Sequence, residues 1–351
     1  MGKVVKMPTG EINLTDLKRD IAKYTGDESE NKILDIRKAK EWMDHASKQP
    51  IPKQLLGCLW YQSELAILFA DTNLGKSVFA VQMADSLTKG KAFIPFMEKC
   101  EKFKVLYCDF EMSSKQFENR YSYDYTNHYE FNENFFRAEL NLDEFLLNSE
   151  LPLEEEISKT IIQQIVSNHI DIVIIDNLTY ITREIEKSKN IQPIMQKLKW
   201  INKEYGVSIM VLAHTPKRDD SKPLTSNDIN GSKFLSNFSD SIIGVGKSCQ
   251  DEYFRYVKQI KSRNSEYQFG SDNVAVFIID KEYNFLEFIF QNIDSESNHL
   301  KIPSEDDKVE MENQILFLAK EHPEWSNQKI ADEVGTNRMR VKRVKDRNFK
   351  K

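Results

Sequence analysis

The sequence has few cysteines, and none of them lie in the close pairs that bind zinc. Its four cysteines are scattered along 351 residues, at Cys58, Cys100, Cys108 and Cys249. Without a C-x-x-C pair they predict neither a metal site nor a disulfide framework. We therefore expect reduced thiols and a cytoplasmic protein.

Long apolar runs are missing as well. No run approaches the roughly 18 apolar residues that span a bilayer. The first residues, "MGKVVKMPTG", lack the apolar segment of a secretory signal. With 40% hydrophobic and 30% charged residues, the composition is typical of a soluble globular protein. These features predict no membrane partner.

The chain has no overall excess of positive charge. A net charge of −6 argues against a protein that coats nucleic acid with its whole surface. The charge is uneven, however, since the tail "TNRMRVKRVKDRNFKK" has many lysines and arginines but a single acid, Asp346. Such a local basic segment indicates an anionic partner more directly than the sum does.

Apolar runs and amphipathic segments divide the chain. Residues 1–54 are polar and predict an extension with one short helix. From residue 55 short apolar runs alternate with helical patterns up to residue 292, which predicts an α/β domain with a mainly parallel sheet. A polar linker at 293–308 and a small helical domain at 309–351 complete the predicted organisation.

The segment "LAILFADTNLGKS" is one residue away from a phosphate-binding loop. The pattern G-x-x-x-x-G-K-[ST] is met at Gly75, Lys76 and Ser77, but Ala70 replaces the first glycine. An alanine is compatible with this position if its backbone conformation is ordinary. The alternative is a chance match, but a preceding strand and a following helix favour a phosphate site. The predicted nucleotide-binding residues are Ala70, Asp71, Thr72, Asn73, Leu74, Gly75, Lys76, Ser77 and Val78.

Acids follow two other predicted strands. Asp176 ends "IDIVIID" and is the candidate magnesium ligand together with Ser77; the alternative is a carboxylate that caps a turn. "VLYCDFEMS" offers both Asp109 and Glu111. Because strand side chains alternate, these two acids point the same way, and periodicity does not choose between them.

These motifs together resemble the RecA-like ATPases of the DnaB-type helicase and plasmid RepA-like group. The matching segments are "LFADTNLGKS", "VLYCDFEMSSKQFENR", "IVIIDNLTYI", "VLAHTPKR" and "VKQIKSRN". The resemblance covers residues 55–290 and implies a RecA-like P-loop fold that binds ATP and Mg²⁺. It selects Glu111 as the residue that polarises the attacking water and His214 as a γ-phosphate sensor. A buried, hydrogen-bonded histidine is the alternative for His214.

The resemblance also implies an oligomer. In that group a Lys-x-Arg pair, here Lys261 and Arg263, reaches into the site of a neighbouring subunit, so we expect a hexamer-type ring. The alternative is an exposed edge strand with alternating charges. Single-stranded DNA in the ring channel would meet two loops, whose cations are Lys187, Lys189, Lys217 and Arg218. The large N-terminal helical domain of replicative helicases is missing from these 351 residues.

The C-terminal segment "SNQKIADEVGTNRMRVKRVKDRNFK" predicts a helix-turn-helix that binds duplex DNA. Ser326 or Asn327 caps its first helix and Gly335 lies at the turn. The candidate DNA-binding residues are Arg338, Arg340, Lys342, Arg343 and Lys345. Ile315, Phe317, Leu318 and Trp325 are the candidate core of the supporting helix. A solvated basic tail and a protein-docking helix pair are the alternatives.

Three functions fit these features. The first is an ATP-driven, helicase-like motor for the replication or transfer of a plasmid or mobile element. The second is an ATP-dependent regulator that assembles on DNA without unwinding it. The third is a nucleotide-binding scaffold without hydrolysis, against which the set of Lys76, Glu111 and Asp176 argues.

Overall fold

The structure is a computed structural model that describes residues 34–148, 151–177, 192–215, 218–229, 232–301, 305–334, 336 and 338–349. The chain separates into two compact units, with the boundary between Ile51 and Pro52. In the first unit, helix α1 (Ala39–Ala46) has no buried residues. The larger unit carries the predicted motifs.

Its central sheet has nine strands in the described residues. In chain order they are β1 (Leu65–Ala70), β2 (Val105–Asp109), β5 (Phe135–Glu139), β6 (Ile172–Asp176), β7 (Ser208–His214), β8 (Ser241–Lys247), β9 (Phe254–Lys261), β10 (Val274–Asp280) and β11 (Glu287–Asp294). The spatial order is β11-β10-β9-β8-β1-β7-β6-β2-β5. A separate short hairpin consists of β3 (Ser122–Tyr123) and β4 (Asn127–His128).

Most strands of this sheet run parallel. Strand β1 lies between β7 and β8, and the parallel pairing continues through β6 and β2 to β5. Strands β9, β10 and β11 add antiparallel pairs at the other side. The predicted α/β class with a mainly parallel sheet and a C-terminal helical region is confirmed.

Helices cover the sheet. They are α2 (Lys76–Lys89), α3 (Ser114–Arg120), α4 (Leu142–Asn148), α5 (Leu153–Asn168), α6 (Gln192–Tyr205) and α7 (Ser232–Phe238). Strands β1, β2, β6 and β7 bury nearly all their side chains, because helices cover both faces of a parallel sheet. This is why each strand reads as a continuous apolar run. The carboxyl ends of β1, β2, β6 and β7 therefore meet at one edge, where ligand sites form in such sheets.

The end of the sheet continues into a packed turn. A 3₁₀ helix at Glu296–His299 follows β11, and Glu296 and His299 are both buried. Glu296 forms a buried ion pair of 2.5 Å with Lys258 of β9. The first residues of the predicted linker thus pack against the sheet.

Three helices form the C-terminal region: α8 (Glu305–Glu321), α9 (Asn327–Val334) and α10 (Arg338–Asn348). Ile315 is fully buried in their small core, and Leu318 and Trp325 pack against it. Phe317, predicted as core, is instead 63% exposed. At 100° per residue, Phe317 lies on nearly the opposite side of α8 from Ile315, whereas Leu318 returns to the buried face.

Candidate nucleotide site

The phosphate loop connects β1 to α2 and ends at a glycine with positive φ. Gly75 has φ 89° and caps the amino end of α2. A Cβ atom built on Gly75 would lie 2.5 Å from Ile279 Cδ1 and 3.0 Å from Phe288 Cε2. Both the backbone conformation and the packing therefore require glycine here. The amino end of α2 directs its free N–H groups toward the loop, as an anion site requires.

Ala70, which replaces the expected glycine, is an ordinary strand residue. It is fully buried and pairs with His214 on β7 and Val245 on β8. It is not among the described residues with positive φ, and its carbonyl accepts a 3.1 Å hydrogen bond from the Thr215 backbone N–H. A methyl group is therefore accommodated at this position without backbone strain.

Lys76, His214 and Glu111 form a connected network at the carboxyl edge. Lys76 Nζ lies 3.0 Å from His214 Nδ1, and His214 Nε2 lies 3.2 Å from Glu111 Oε1. An ammonium group only donates, so Nδ1 of His214 must accept. Nε2 then carries the ring N–H and donates a hydrogen bond to the Glu111 carboxylate, and Nε2 also lies 2.8 Å from the Asn177 side-chain nitrogen. The Asn177 amide also donates to Glu111.

This network sets the charge of its members. The hydrogen bond from His214 is the main reason that the pKa of Glu111 lies below its usual value, and Asn177 and Lys76 lower the pKa further. Glu111 is therefore a carboxylate at neutral pH and can accept a proton or a hydrogen bond. Burial lowers the pKa of Lys76, while Asp176, Glu111 and Asp71 oppose that shift.

Asp176 is buried at the end of β6 beside this network. Its Oδ2 accepts a 2.6 Å hydrogen bond from the Tyr107 hydroxyl. Burial raises the pKa of Asp176 to about 6, and the Ser77 and Tyr107 hydroxyls oppose the rise. Its Oδ1 has no hydrogen-bond partner of normal geometry among the described residues. A buried carboxylate oxygen of this kind, next to a serine hydroxyl, fits a Mg²⁺ ion, which prefers oxygen ligands.

A cavity of about 600 Å³ adjoins Glu111. Its lining residues are Glu111, Met112, Gln116, Asn119 and Arg120. Nη1 of Arg120 is buried and has no hydrogen-bond partner in the part of the chain that the structure describes. A guanidinium in that state suits an anionic or planar ligand group. The sequence contained one indication of Arg120, namely the arginine in the predicted helix after "FEMS".

The sequence also matches a known protein family. A family model described as "AAA domain" matches residues 31–220, more than half of the sequence. The chain belongs to the AAA domain family. It is therefore a nucleotide-binding protein of the ATPase type, which agrees with the phosphate loop and the network around Lys76.

The crystal structure of a KaiC-like protein from the hyperthermophilic archaeon Pyrococcus horikoshii OT3 has a TM-score of 0.47 and 13% sequence identity. The match covers 65% of this chain and 90% of that one. No curated protein matches the sequence significantly. Within the described residues, no helix of this AAA-domain protein combines the length and apolar character of a transmembrane segment.

Lys261 and Arg263 of the AAA-domain protein lie away from its own phosphate loop. Lys261 pairs with Ile242 near the start of β8, whereas Ala70 pairs with Val245 near its end. Lys261 Nζ donates to the backbone carbonyls of Ser236 and Ser239, at 2.6 and 2.8 Å.

Arg263 is less restrained than Lys261. Its side chain is 53% exposed, and it donates one hydrogen bond of 3.1 Å to Asp240. The structure thus brings neither residue to the site formed by Lys76 and Glu111 in the same chain. Of the two, Arg263 is exposed and Lys261 is half-buried.

The predicted DNA-facing loops are described only in part. Lys187, Lys189 and Lys217 lie outside the described residues. Arg218, predicted to face DNA, is only 8% exposed and donates to the carbonyl of Lys222, and its Nε lies 3.9 Å from Asp228. Its guanidinium therefore stabilises its own loop.

The residues predicted to bind DNA lie on the last of the C-terminal helices. Ser326 Oγ accepts a 3.1 Å hydrogen bond from the Lys329 backbone N–H and so caps α9, as predicted. On α10, Val341 and Val344 are buried, while Arg338, Lys342 and Arg343 are exposed and Arg340 and Lys345 are half-buried. The predicted turn residue Gly335 lies outside the described residues.

Proposed function

We propose that this AAA-domain protein hydrolyses ATP with Mg²⁺ and couples the reaction to DNA binding or remodelling, as a helicase-like ATPase of the RepA type in plasmid or mobile-element replication or transfer. The observation that carries the hydrolytic part is the connected set of Lys76, His214 and Glu111 beside the buried carboxylate of Asp176. A protein that only held nucleotide would not need a carboxylate at the far end of such a network.

Each residue then has a distinct task. The loop amides and Lys76 bind the phosphates, and binding draws the Lys76 ammonium from His214 toward the β- and γ-phosphoryl oxygens. Ser77 and Asp176 would hold Mg²⁺, which would act as a Lewis acid on the phosphate oxygens as ADP leaves. Glu111, a carboxylate at neutral pH, orients the attacking water and accepts its proton. His214 links the phosphate-binding lysine to that carboxylate.

Assembly into a ring would supply the remaining positive charge. Hydrolysis places negative charge on the γ-phosphoryl group, and a trans arginine can raise turnover about 10³-fold. The exposed head group of Arg263 is suited to that role, whereas Lys261 is held by carbonyls of its own chain. We therefore assign to Arg263, and not to Lys261, the role of the arginine that would reach into the site of a neighbouring subunit.

DNA binding is assigned to α10 of the C-terminal region. Its exposed Arg338, Lys342 and Arg343 offer several positive charges on one short helix, which suits contact with phosphates. Phosphate contacts alone would account for these residues, so the proposal concerns duplex DNA without a named sequence. The burial of Arg218 lends no support to a single-strand channel. A DNA-bound regulator that does not unwind is therefore kept as the second function.

The experiment measures the ATPase rate of the full chain with single-stranded DNA, with duplex DNA and without DNA, beside the oligomeric mass. Stimulation by DNA in an oligomer supports the proposal. A rate that DNA leaves unchanged would contradict the coupling. A forked duplex then separates the two functions, because strand separation is expected of the motor alone. Duplex binding without separation, lost when the residues after Lys308 are deleted, identifies the regulator.

A further inference from the structure

The loop that carries Glu111 is fixed by the acid two residues before it. Asp109 ends β2 and is almost completely buried. Its Oδ1 accepts hydrogen bonds from the backbone N–H groups of Glu111, at 3.2 Å, and Met112, at 2.9 Å. One carboxylate oxygen thus ties down the backbone of Glu111 itself.

The other oxygen of Asp109 is held by an arginine from the neighbouring strand. Arg137 lies on β5, and its Nε and Nη2 donate to Asp109 Oδ2 at 3.1 and 2.8 Å. Nη2 also donates to the Met112 carbonyl at 2.9 Å, so Arg137 holds both the acid and the loop. The guanidinium lies 4.6 Å from the centre of the Phe117 ring, on the helix that follows the loop.

These contacts leave Asp109 no role at the phosphates. Both of its oxygens are engaged, and its side chain is fully buried while that of Arg137 is 17% exposed. Within the described residues, neither side chain forms a hydrogen bond with Lys76 or His214. The contacts of Asp109 and Arg137 instead fix the backbone of the loop that carries Glu111.

We propose that Asp109 and Arg137 are positioning residues that hold Glu111 at the correct distance from the attacking water. The inference rests on the proposed role of Glu111. The guanidinium is fixed by three hydrogen bonds, two to Oδ2 of Asp109 and one to the Met112 carbonyl, so it sets both the distance and the direction of the acid and of the loop. Misplacement of a reacting group by about 1 Å can cost about 10²-fold in rate, so loss of the pair should lower kcat far more than nucleotide affinity.

The test compares Arg137→Gln with the parent chain at saturating Mg²⁺-ATP. Glutamine can donate one hydrogen bond to Asp109 but not two, so we expect kcat to fall roughly 10²-fold while KM changes less than about 2-fold. Arg137→Lys keeps the positive charge but lacks the planar guanidinium, so its kcat should lie between those of the parent chain and Arg137→Gln. Arg255→Gln, on the antiparallel side of the sheet, is the matched control and should leave kcat unchanged.

A double variant distinguishes positioning from general stability. In the Glu111→Gln background the residual turnover should be the same with Arg137 or Gln at position 137, because the group to be positioned is already gone. Equal fold-losses in both backgrounds, or full kcat in Arg137→Gln, would overturn the proposal. If Arg137→Gln does not fold, Asp109→Asn takes its place in both backgrounds, because asparagine can still accept hydrogen bonds from the loop amides. The same outcomes then support or overturn the proposal. Full turnover in Glu111→Gln alone would instead refute the role of Glu111.

Discussion

Charged side chains converge at the carboxyl edge of the sheet, whereas the cations at its opposite edge and on the last helix lie separately. His214 contacts both Lys76 and Glu111, although the three residues come from strand β7, helix α2 and the loop after β2. Lys261 is instead held by carbonyls, and Lys342 is exposed to solvent. Side chains that contact one another within one chain indicate directly which reaction they can carry out. The role of the separate cations depends on a partner molecule, either a neighbouring subunit or DNA.

Among these separate cations, the largest expected effect on turnover comes from Arg263, at the edge of the sheet opposite the phosphate loop. If Arg263 serves a neighbouring subunit, Arg263→Ala should lower kcat about 10²-fold or more, and the rate per chain should depend on protein concentration. Lys261→Ala should chiefly lower the thermal midpoint, because its ammonium bonds two carbonyls at the end of α7. Steady-state ATPase assays over a dilution series, with thermal melting, check both. Unchanged turnover in Arg263→Ala would show that Arg263 has no part in hydrolysis.

A second prediction concerns the charge buried at the carboxyl edge. The pKa of Asp176 is raised from 3.8 to about 6 by burial. Its folded-state pKa is thus above the unfolded one, so the ionised carboxylate destabilises the metal-free protein above about pH 6. Two pKa units correspond to about 3 kcal/mol. Asp176→Asn should therefore stabilise the metal-free chain at pH 7 by up to about 3 kcal/mol.

The same difference should fade as the pH falls from 6 to 4, because the folded carboxyl is then protonated. Denaturant unfolding of both chains without Mg²⁺ at several pH values measures it. Adding Mg²⁺ and nucleotide should reverse the order of stability at pH 7, since only the parent retains the carboxylate. A difference that does not vary with pH would contradict a buried charge at Asp176.

The smallest expected effect is on the last helix. Replacing Lys342 and Arg343 by alanine should weaken duplex binding several-fold and reduce the salt slope by about 2, one for each lost phosphate contact. Lys320→Ala on α8 is the exposed control. Fluorescence anisotropy at several salt concentrations measures the slope. An unaltered slope would assign α10 to a protein partner or to solvent.

The sheet was predictable because its strands are buried on both faces and so appear as short apolar runs between amphipathic helices. Periodicity could not choose between Asp109 and Glu111, since both follow the same strand and point the same way, and the resemblance alone selected Glu111. The structure separates them through Arg137, which lies 28 residues further along the chain. Contacts across strands of this kind leave no local pattern in the sequence.

Other parts of the site were equally hidden. Tyr107 bonds Asp176 across neighbouring strands, and Asn177 reaches Glu111 from the end of β6. The position of Phe317 was wrong for a simpler reason. Apolar character in a helix does not show which face is buried when the partner helices are short, and two residues of separation turn the side chain to solvent.

Single-turnover hydrolysis by Glu111→Gln, with ATP binding measured on the same sample, shows whether Glu111 activates the attacking water. Glutamine keeps the size of the side chain but cannot accept the proton of the attacking water. We expect binding within about 2-fold of the parent and hydrolysis slower by about 10³-fold. Glu98→Gln, an exposed acid away from the site, should behave as the parent. Parent-like hydrolysis by Glu111→Gln would contradict the account of this site.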